Sequence, residues 1–243
     1  MNSVGQVANV VNLRRIGNPP GAPLVVSSIP GMYRLSKRAL DILGSGVFLL
    51  LSAPLMAWLS IAIRLRMGSP VLFRHTRPGL NEHSFGCLKF RTMTDARDAT
   101  GQLLSDEQRL TPLGIFLRRY SLDELPQFWN VFKGEMSLVG PRPLEMRYLP
   151  RYTPEQRRRH VVKPGVTGWA QINGRNTLSW EQKFALDTWY VDHCSFWLDL
   201  KILFITAWKV ISAEGVSHGG HATMPDFMGT LAEEAKSAPD SAN

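Results

Sequence analysis

Apolar and polar residues are spread unevenly along the chain, and the longest apolar stretch lies near its start. From Ile42 to Ile63 runs ILGSGVFLLLSAPLMAWLSIAI, 22 residues without one charged side chain. About 20 such residues suffice to cross a bilayer as a helix. Arg34, Lys37 and Arg38 precede the stretch, and Arg64 and Arg66 follow it. Pro54, near the middle, removes a backbone hydrogen bond and tends to kink or break a helix. A spanning helix ordinarily carries its lysine and arginine excess on one side only. Two basic flanks and a central proline favour a re-entrant helix-break-helix that returns to the face it entered, over a kinked span or a buried core helix. The Ser52 hydroxyl is placed to serve a backbone group freed at the break, and Asp41 falls at headgroup depth.

Residues 1–31 show no helical or strand period and contain Asn18-Pro19-Pro20-Gly21 and Ile29-Pro30-Gly31. They read as a flexible leader and lack the apolar core and cleavage site of a secretory signal. Beyond Arg66, Pro70–Arg74 and Phe85–Arg91 are rich in β-formers around the turn Arg77-Pro78-Gly79-Leu80-Asn81, which predicts a hairpin. A polar, helix-permissive stretch spans 94–108, then a helix is expected around Leu113–Tyr120. A second helix is predicted from Ser121, because Ser-x-x-Glu is a capping-box pattern. Thr153-Pro154-Glu155 reads as another helix start. Two helices, about Trp180–Cys194 and Leu198–Ala213, close the domain. The last carries Leu200, Leu203, Phe204, Ala207, Trp208 and Ile211 at helical spacing, a stripe that suits a core. Trp197 and Trp208 open the alternative of a membrane-interface face. The tail 230–243 is polar and expected to be disordered.

The 243 residues carry 28 lysines and arginines against 20 acids, for a net charge of +8 and a pI near 9.8. That excess asks for an anionic partner: nucleic acid, an anionic membrane or phosphorylated substrates. An apolar share of 44% excludes wholesale disorder and a polytopic membrane protein. Cys87 and Cys194 make no disulfide framework and fit a reducing compartment.

No phosphate-binding GxxxxGK[ST] loop, GxGxxG, HExxH, CxxC or Asp-x-Asp occurs. His218 and His221 lack a third ligand nearby and read as solvated loop residues. The unusual segment is Arg118-Arg119-Tyr120-Ser121-Leu122-Asp123-Glu124-Leu125-Pro126-Gln127. It sets adjacent carboxylates in the expected first turn of a helix, just after two arginines, where the helix dipole favours anions and would hold Asp123 ionised. The plain reading is two helix-start acids; the chemical one is a nucleophilic aspartate aided by a cation. Gly140-Pro141-Arg142-Pro143 forms a rigid turn presenting one arginine. The loops Lys163–Gln171 and Asn173–Asn176 have glycines that would let backbone approach a ligand, with basic side chains suited to phosphate. The run Arg157-Arg158-Arg159-His160 suits a solvated or lipid-headgroup face.

From about Tyr33 to Gly229 the chain resembles the bacterial sugar transferases known as monotopic phosphoglycosyl transferases, of the short, single-catalytic-domain type. The blocks KRALDILGSG, LKFRTM, SLDELPQFWNVFKGEMSLVGPRP, KPGVTGWAQINGRN and DLKILFITAWKV occur in the family's order. The resemblance implies transfer of sugar-1-phosphate from a UDP-sugar to undecaprenyl phosphate, with release of UMP. It implies a covalent phosphosugar on Asp123, Glu124 completing a dyad, and Mg²⁺ held with Asp123. Arg118 and Arg175 then match phosphate-binding positions, Arg142 joins them, and Lys89 is a candidate in the site wall. The family's Ser-Pro membrane break corresponds to Ser52-Ala53-Pro54, one residue longer. The tail Gly219–Pro225 is similar to tails of members that use N-acetylated, often bacillosamine-type, amino sugars; hexose transferases that start exopolysaccharide are the alternative.

The expected architecture is α+β, mainly α: a flexible leader (1–31), a re-entrant membrane anchor (32–66) and a cytosolic catalytic domain (67–229) with a small β-hairpin and amphipathic interfacial helices. Such a protein sits on the cytoplasmic face of the bacterial inner membrane, against its lipid. A non-catalytic basic membrane-binding protein shares the charge and the anchor, but would tolerate loss of Asp123 and Glu124. A nucleic-acid-binding module accounts for the charge but leaves the apolar stretch without a purpose, so no nucleic-acid partner is expected.

Overall fold

The computed structural model describes residues 30–174, 178–212 and 226–230. One long helix, α1 (Gly31–Met67), leads into the antiparallel hairpin β1 (Leu72–Pro78) and β2 (Ser84–Phe90). A one-turn helix α2 (Asp106–Arg109), α3 (Pro112–Arg119) and α4 (Gln127–Lys133) follow. Strand β3 (Ser137–Val139) pairs in parallel with β4 (Gly165–Thr167) across the short helix α5 (Pro154–Arg157). Helices α6 (Trp169–Ile172), α7 (Trp180–His193) and α8 (Phe196–Ile211) complete the domain. The mainly helical α+β expectation is met, with two small two-stranded sheets.

Among the described residues, α1 is the one helix long and apolar enough to cross a membrane. Its inward stripe is continuous: Asp41, Ser45, Leu59 and Ile63 are buried, with Phe48, Ser52 and Met56 part-buried between them. Steps of three and four residues put all seven on one face. At the first end, Asp41 accepts hydrogen bonds from Ser137 Oγ (2.9 Å) and the Leu138 amide (2.8 Å). Lys37 donates to the Val139 carbonyl (2.9 Å) and the fully buried Asp199 (2.7 Å). Phe48 stacks on Phe128 of α4, with ring centroids 3.7 Å apart. At the far end Leu59 and Ile63 join Phe90 and Leu117 in a separate apolar cluster. Both ends therefore rest on the same domain, while Leu43, Val47, Leu50, Leu51, Trp58, Ile61 and Leu65 are exposed.

The helix runs through Pro54 as one element rather than two. Ser52 Oγ lies 3.5 Å from the Leu49 carbonyl, at the limit of a hydrogen bond, and not on Leu50, the acceptor that Pro54 leaves without its usual donor.

The hairpin forms as expected, with β1 longer at its end. Buried Asn130 of α4 completes the outer edge of β2, accepting from the Leu88 amide (2.9 Å) and donating to the Gly86 carbonyl (2.8 Å). The polar stretch 94–108 is mostly not helical, because the Asp98 carboxylate takes the Thr100 and Gln102 amides in a tight turn. Such local side-chain bonds compete with the helical ladder. The closing helices start at Ser179, in a capping box with Gln182, and at Ser195. On α8 the predicted core stripe is corrected. Asp199 and Ile202 face inward with Ile205 and Thr206, whereas Trp197, Phe204, Trp208, Val210 and Ile211 are exposed. The buried ion pair of Asp199 with Lys37 fixes the helix in that rotation.

Candidate active site

Thr111 caps α3 by accepting the Gly114 amide (2.9 Å), with Pro112 at the first helical position. Glycine at 114 is required by packing, since a Cβ there would stand 1.9 Å from the Thr92 carbonyl oxygen. That approach brings Arg118 to the end of β2, where its Nε donates to Thr92 Oγ1 (3.1 Å).

The chain then reverses. Ser121 is left-handed (φ 55°, ψ 23°) and its hydroxyl makes no capping bond, which corrects the predicted capping box. A capping serine sits in the extended region. Here the reversal turns Leu122 and Leu125 back into the cluster around Leu59 and Leu117. Asp123 and Glu124 lie on a three-residue 3-10 turn, Leu122–Glu124, and α4 starts only after Pro126. So short a turn has no helix dipole to speak of; the local charge comes from side chains instead.

Lys89 Nζ stands 2.7 Å from Glu124 Oε1 and 3.7 Å from Asp123 Oδ2. Arg142 shares that Glu124 oxygen, Nη2 to Oε1 at 2.6 Å. Burial alone would raise the Glu124 pKa, but Arg142 and Lys89 together outweigh it and hold the carboxyl down at about 2. Asp123 goes the other way. Burial raises its pKa, the neighbouring Glu124 adds to the rise, and Lys89, Arg118 and Arg142 oppose it. The expectation of an aspartate held ionised by a helix start is corrected accordingly. The environments of the two carboxyls push them apart, a pattern that separates roles in active sites. Glu124 is a fixed, ion-paired anion, and Asp123 is the more basic carboxylate, with no hydrogen bond from the described residues.

Arg142 is carried on the turn after β3, and glycines set that turn's packing. A Cβ on Gly140 would lie 2.3 Å from the Lys163 carbonyl, and one on Gly165 2.1 Å from the Gly140 amide. These glycines let two backbone segments meet, which replaces the expected backbone approach to a ligand. A cavity of about 310 Å³ opens beside the dyad, walled by Arg77, Lys89, Arg142, Tyr148, Trp180 and Lys183. Its size falls at the small end of ligand sites, and cations with aromatic rings suit a phosphorylated, ring-bearing ligand.

The structure thus brings Asp123, Glu124, Lys89, Arg142 and Arg118 together. Arg175 lies outside the described residues, as do His218, His221 and the tail Gly219–Pro225. The basic run at 157–160 is not an open cationic face, which corrects that reading. Arg157 pairs with Glu82 (2.7 Å), Arg158 with Glu155 (2.6 Å) and Asp192, and buried Arg159 with Asp187 (2.7 Å). The sequence reading missed Arg77, Trp180 and Lys183 as cavity residues, because their approach to the dyad depends on tertiary packing.

No cluster of three or more His, Cys, Asp or Glu that could enclose a metal occurs among the described residues. Mg²⁺ needs less, since one or two carboxylates commonly hold it while water and substrate phosphates fill the shell. Asp123 fits that limited role, being a carboxylate with no hydrogen bond among the described residues, 3.7 Å from Lys89 and beside a phosphate-suited cavity.

Residues 32–213 match the bacterial sugar transferase family. A relative in Bacillus subtilis, the uncharacterized sugar transferase EpsL, is 56% identical over 195 residues, covering 80% of this chain and 96% of EpsL. The UDP-glucose:undecaprenyl-phosphate glucose-1-phosphate transferase of Escherichia coli is 40% identical over 81% of this chain, which spans 45% of that enzyme. The exopolysaccharide production protein ExoY of Rhizobium meliloti is 36% identical over 86% of this chain and 98% of its own length.

Proposed function

The chain belongs to the bacterial sugar transferase family, and from that premise we propose that it moves sugar-1-phosphate from a UDP-sugar to undecaprenyl phosphate at the cytoplasmic face of the inner membrane. The observation that carries this reading is the asymmetric dyad: Glu124 locked between Lys89 and Arg142, and Asp123 beside it with no hydrogen bond among the described residues. In the first step an Asp123 oxygen attacks the β-phosphorus of the donor. The bond to the bridging oxygen breaks, UMP leaves with that oxygen, and an aspartyl-phosphosugar forms. In the second, a phosphate oxygen of undecaprenyl phosphate attacks the same phosphorus and the Asp123 carboxylate departs. Two displacements on a small nucleophile avoid pressing two bulky anions together at once.

Arg142 and Lys89, both at the cavity wall, orient Glu124 and offset donor charge, and Arg118 adds its charge near Asp123. By motif position Arg175 binds phosphate as well. Held at Asp123 with the donor phosphates, Mg²⁺ would offset the charge of the donor diphosphate and of the departing UMP.

The membrane seat is a re-entrant anchor over residues 32–66 with the catalytic domain on the cytosolic side, and in the bilayer α1, continuous here through Pro54, would bend about Ser52–Pro54. Support comes from the packing of one domain along α1 from Asp41 to Ile63, since a span would carry the two ends of that face to opposite sides of the hydrocarbon. Exposed Trp197, Phe204 and Trp208 on α8, with Lys201 alongside, suit headgroup depth.

Two sugar readings remain to be separated. Glucose and galactose appear in the names of relatives, which favours a hexose and exopolysaccharide assembly. The tail Gly219–Pro225 favours an N-acetylated amino sugar, including the bacillosamine type. UMP release from a panel of UDP-sugars, with undecaprenyl phosphate and Mg²⁺ each present or omitted, identifies the donor. Multiple turnovers that need both acceptor and Mg²⁺ are expected with one class of sugar, with at most one UMP per enzyme released when the acceptor is omitted. A fully active Asp123→Asn variant would refute the assigned nucleophile.

A further inference from the structure

We propose that Arg159 is a positioning residue that sets the Arg142 turn against the wall of the donor cavity. This rests on the reading of Arg142 and Glu124 as parts of the transfer site. Arg159 is 2% exposed, and its guanidinium makes contacts in three directions. Nε and Nη2 donate to Asp187 Oδ2 on α7, at 3.0 and 2.7 Å. Nη2 also donates to the backbone carbonyl of Arg142 at 2.8 Å, and Nη1 lies 3.4 Å from the Tyr152 hydroxyl.

A buried ion pair is a weak source of stability, because desolvation of both charges consumes most of the attraction. An apolar pair of similar volume would fill the space between α7 and the turn equally well. What only a planar, five-donor fork can do is hold a carboxylate and a carbonyl at once in fixed geometry. The carbonyl it holds belongs to the residue whose side chain pairs with Glu124. The carboxylate sits one helical turn after Lys183, which lines the same cavity with Trp180. Arg159 thus links the Arg142 turn to the helix that carries Trp180 and Lys183, while the Gly140 amide bonded to the Thr167 carbonyl (2.9 Å) ties the turn to β4.

The test is a double-mutant cycle on donor kcat and KM, with Arg159→Lys and Arg142→Ala made singly and together. Lysine keeps the charge beside Asp187 but cannot span both acceptors. Losing a charge-assisted bond predicts a fall in kcat/KM of roughly tenfold in the otherwise native enzyme, and at most about twofold in the Arg142→Ala background. Equal losses in both backgrounds would show that Arg159 acts only on stability and would overturn the proposal. Hydrogen exchange at the Gly140, Arg142 and Leu144 amides gives a readout independent of turnover. It should quicken in Arg159→Lys while α7 stays protected, and unchanged exchange there would count against the idea even if no donor were turned over. Should Arg159→Lys fail to fold, near-isosteric Asp187→Asn loosens the same fork from its other end and is judged by the same two readouts. Loss of transfer in the unmutated enzyme would bear on the function above and not on this link.

Discussion

Lys89 and Glu124 lie 35 positions apart and meet at 2.7 Å. The contact fastens the hairpin strand to the turn that carries Asp123, so strand and turn together define the reacting centre. Arg142 closes the clamp from a third segment. Glu124 is therefore expected to orient and to balance charge, leaving Asp123 as the reactive carboxylate.

Replacing Asp123 with Asn removes the nucleophile and should cut UMP release by at least ~10³-fold. Glu124→Gln keeps the shape but frees Lys89 and Arg142 of their counter-charge. A loss of about 10- to 100-fold is expected, by analogy with a charge-assisted hydrogen bond. Steady-state assays of the two variants check the order; a larger loss in Glu124→Gln would reverse the roles.

Gly114→Ala should destabilise the domain by about 1–3 kcal/mol, as overpacking does, because the new methyl meets the Thr92 carbonyl at 1.9 Å. It should also loosen the Arg118–Thr92 bond and raise the donor KM. Thermal unfolding and kinetics of this one variant read both effects, and an unchanged melting point would contradict the packing argument.

Much of the fold is legible in sequence because it is local. The apolar run predicts the helical anchor, though not its continuity through Pro54, the β-formers around Arg77–Asn81 predict the hairpin, and the helix expected from about Trp180 is α7. Ser121 is misleading: its pattern is that of a cap, but burial of Leu122 and Leu125 imposes a reversal that no local signal announces. The same limit applies to the run at 157–160. Its four basic residues look like a surface patch, and only tertiary contacts reveal that Glu82, Glu155, Asp192 and Asp187 answer the arginines. Asp123 and Glu124 were legible as a pair. Their opposite pKa shifts depend on Lys89 and Arg142, which are distant in sequence.

His160 gives a pH-dependent stability. Burial lowers its pKa from 6.5 to about 3, the adjacent Arg159 charge adds to the fall, and Glu82, 3.8 Å from Nδ1, opposes it only in part. Above pH 6.5 the ring is neutral in both native and unfolded chains. Between 6.5 and about 3 the unfolded chain takes up a proton that the native one refuses, so stability falls as pH falls, by up to about 1.4 kcal/mol per pH unit. Glu124 contributes with the same sign only below 4.5, down to about 2. Denaturant titrations at pH 5 and pH 7 should therefore differ less for His160→Leu than for the native protein. Identical differences would exclude this histidine as the source.

The anchor is tested by accessibility. With Cys194→Ser as background, Arg34→Cys and Arg66→Cys flank α1. A re-entrant helix exposes both thiols to an impermeant reagent on the same side of sealed inverted vesicles. Labelling on opposite sides would establish a span.

The central claim is covalent chemistry on Asp123. Intact-mass analysis of purified enzyme mixed with the donor UDP-sugar and Mg²⁺, without undecaprenyl phosphate, addresses it most directly. The expected result is a mass increase of one sugar phosphate, mapped to the peptide containing Asp123, discharged when undecaprenyl phosphate is added and missing from Asp123→Asn. An adduct that persists in Asp123→Asn, or rapid turnover with no adduct under any condition, would contradict the account.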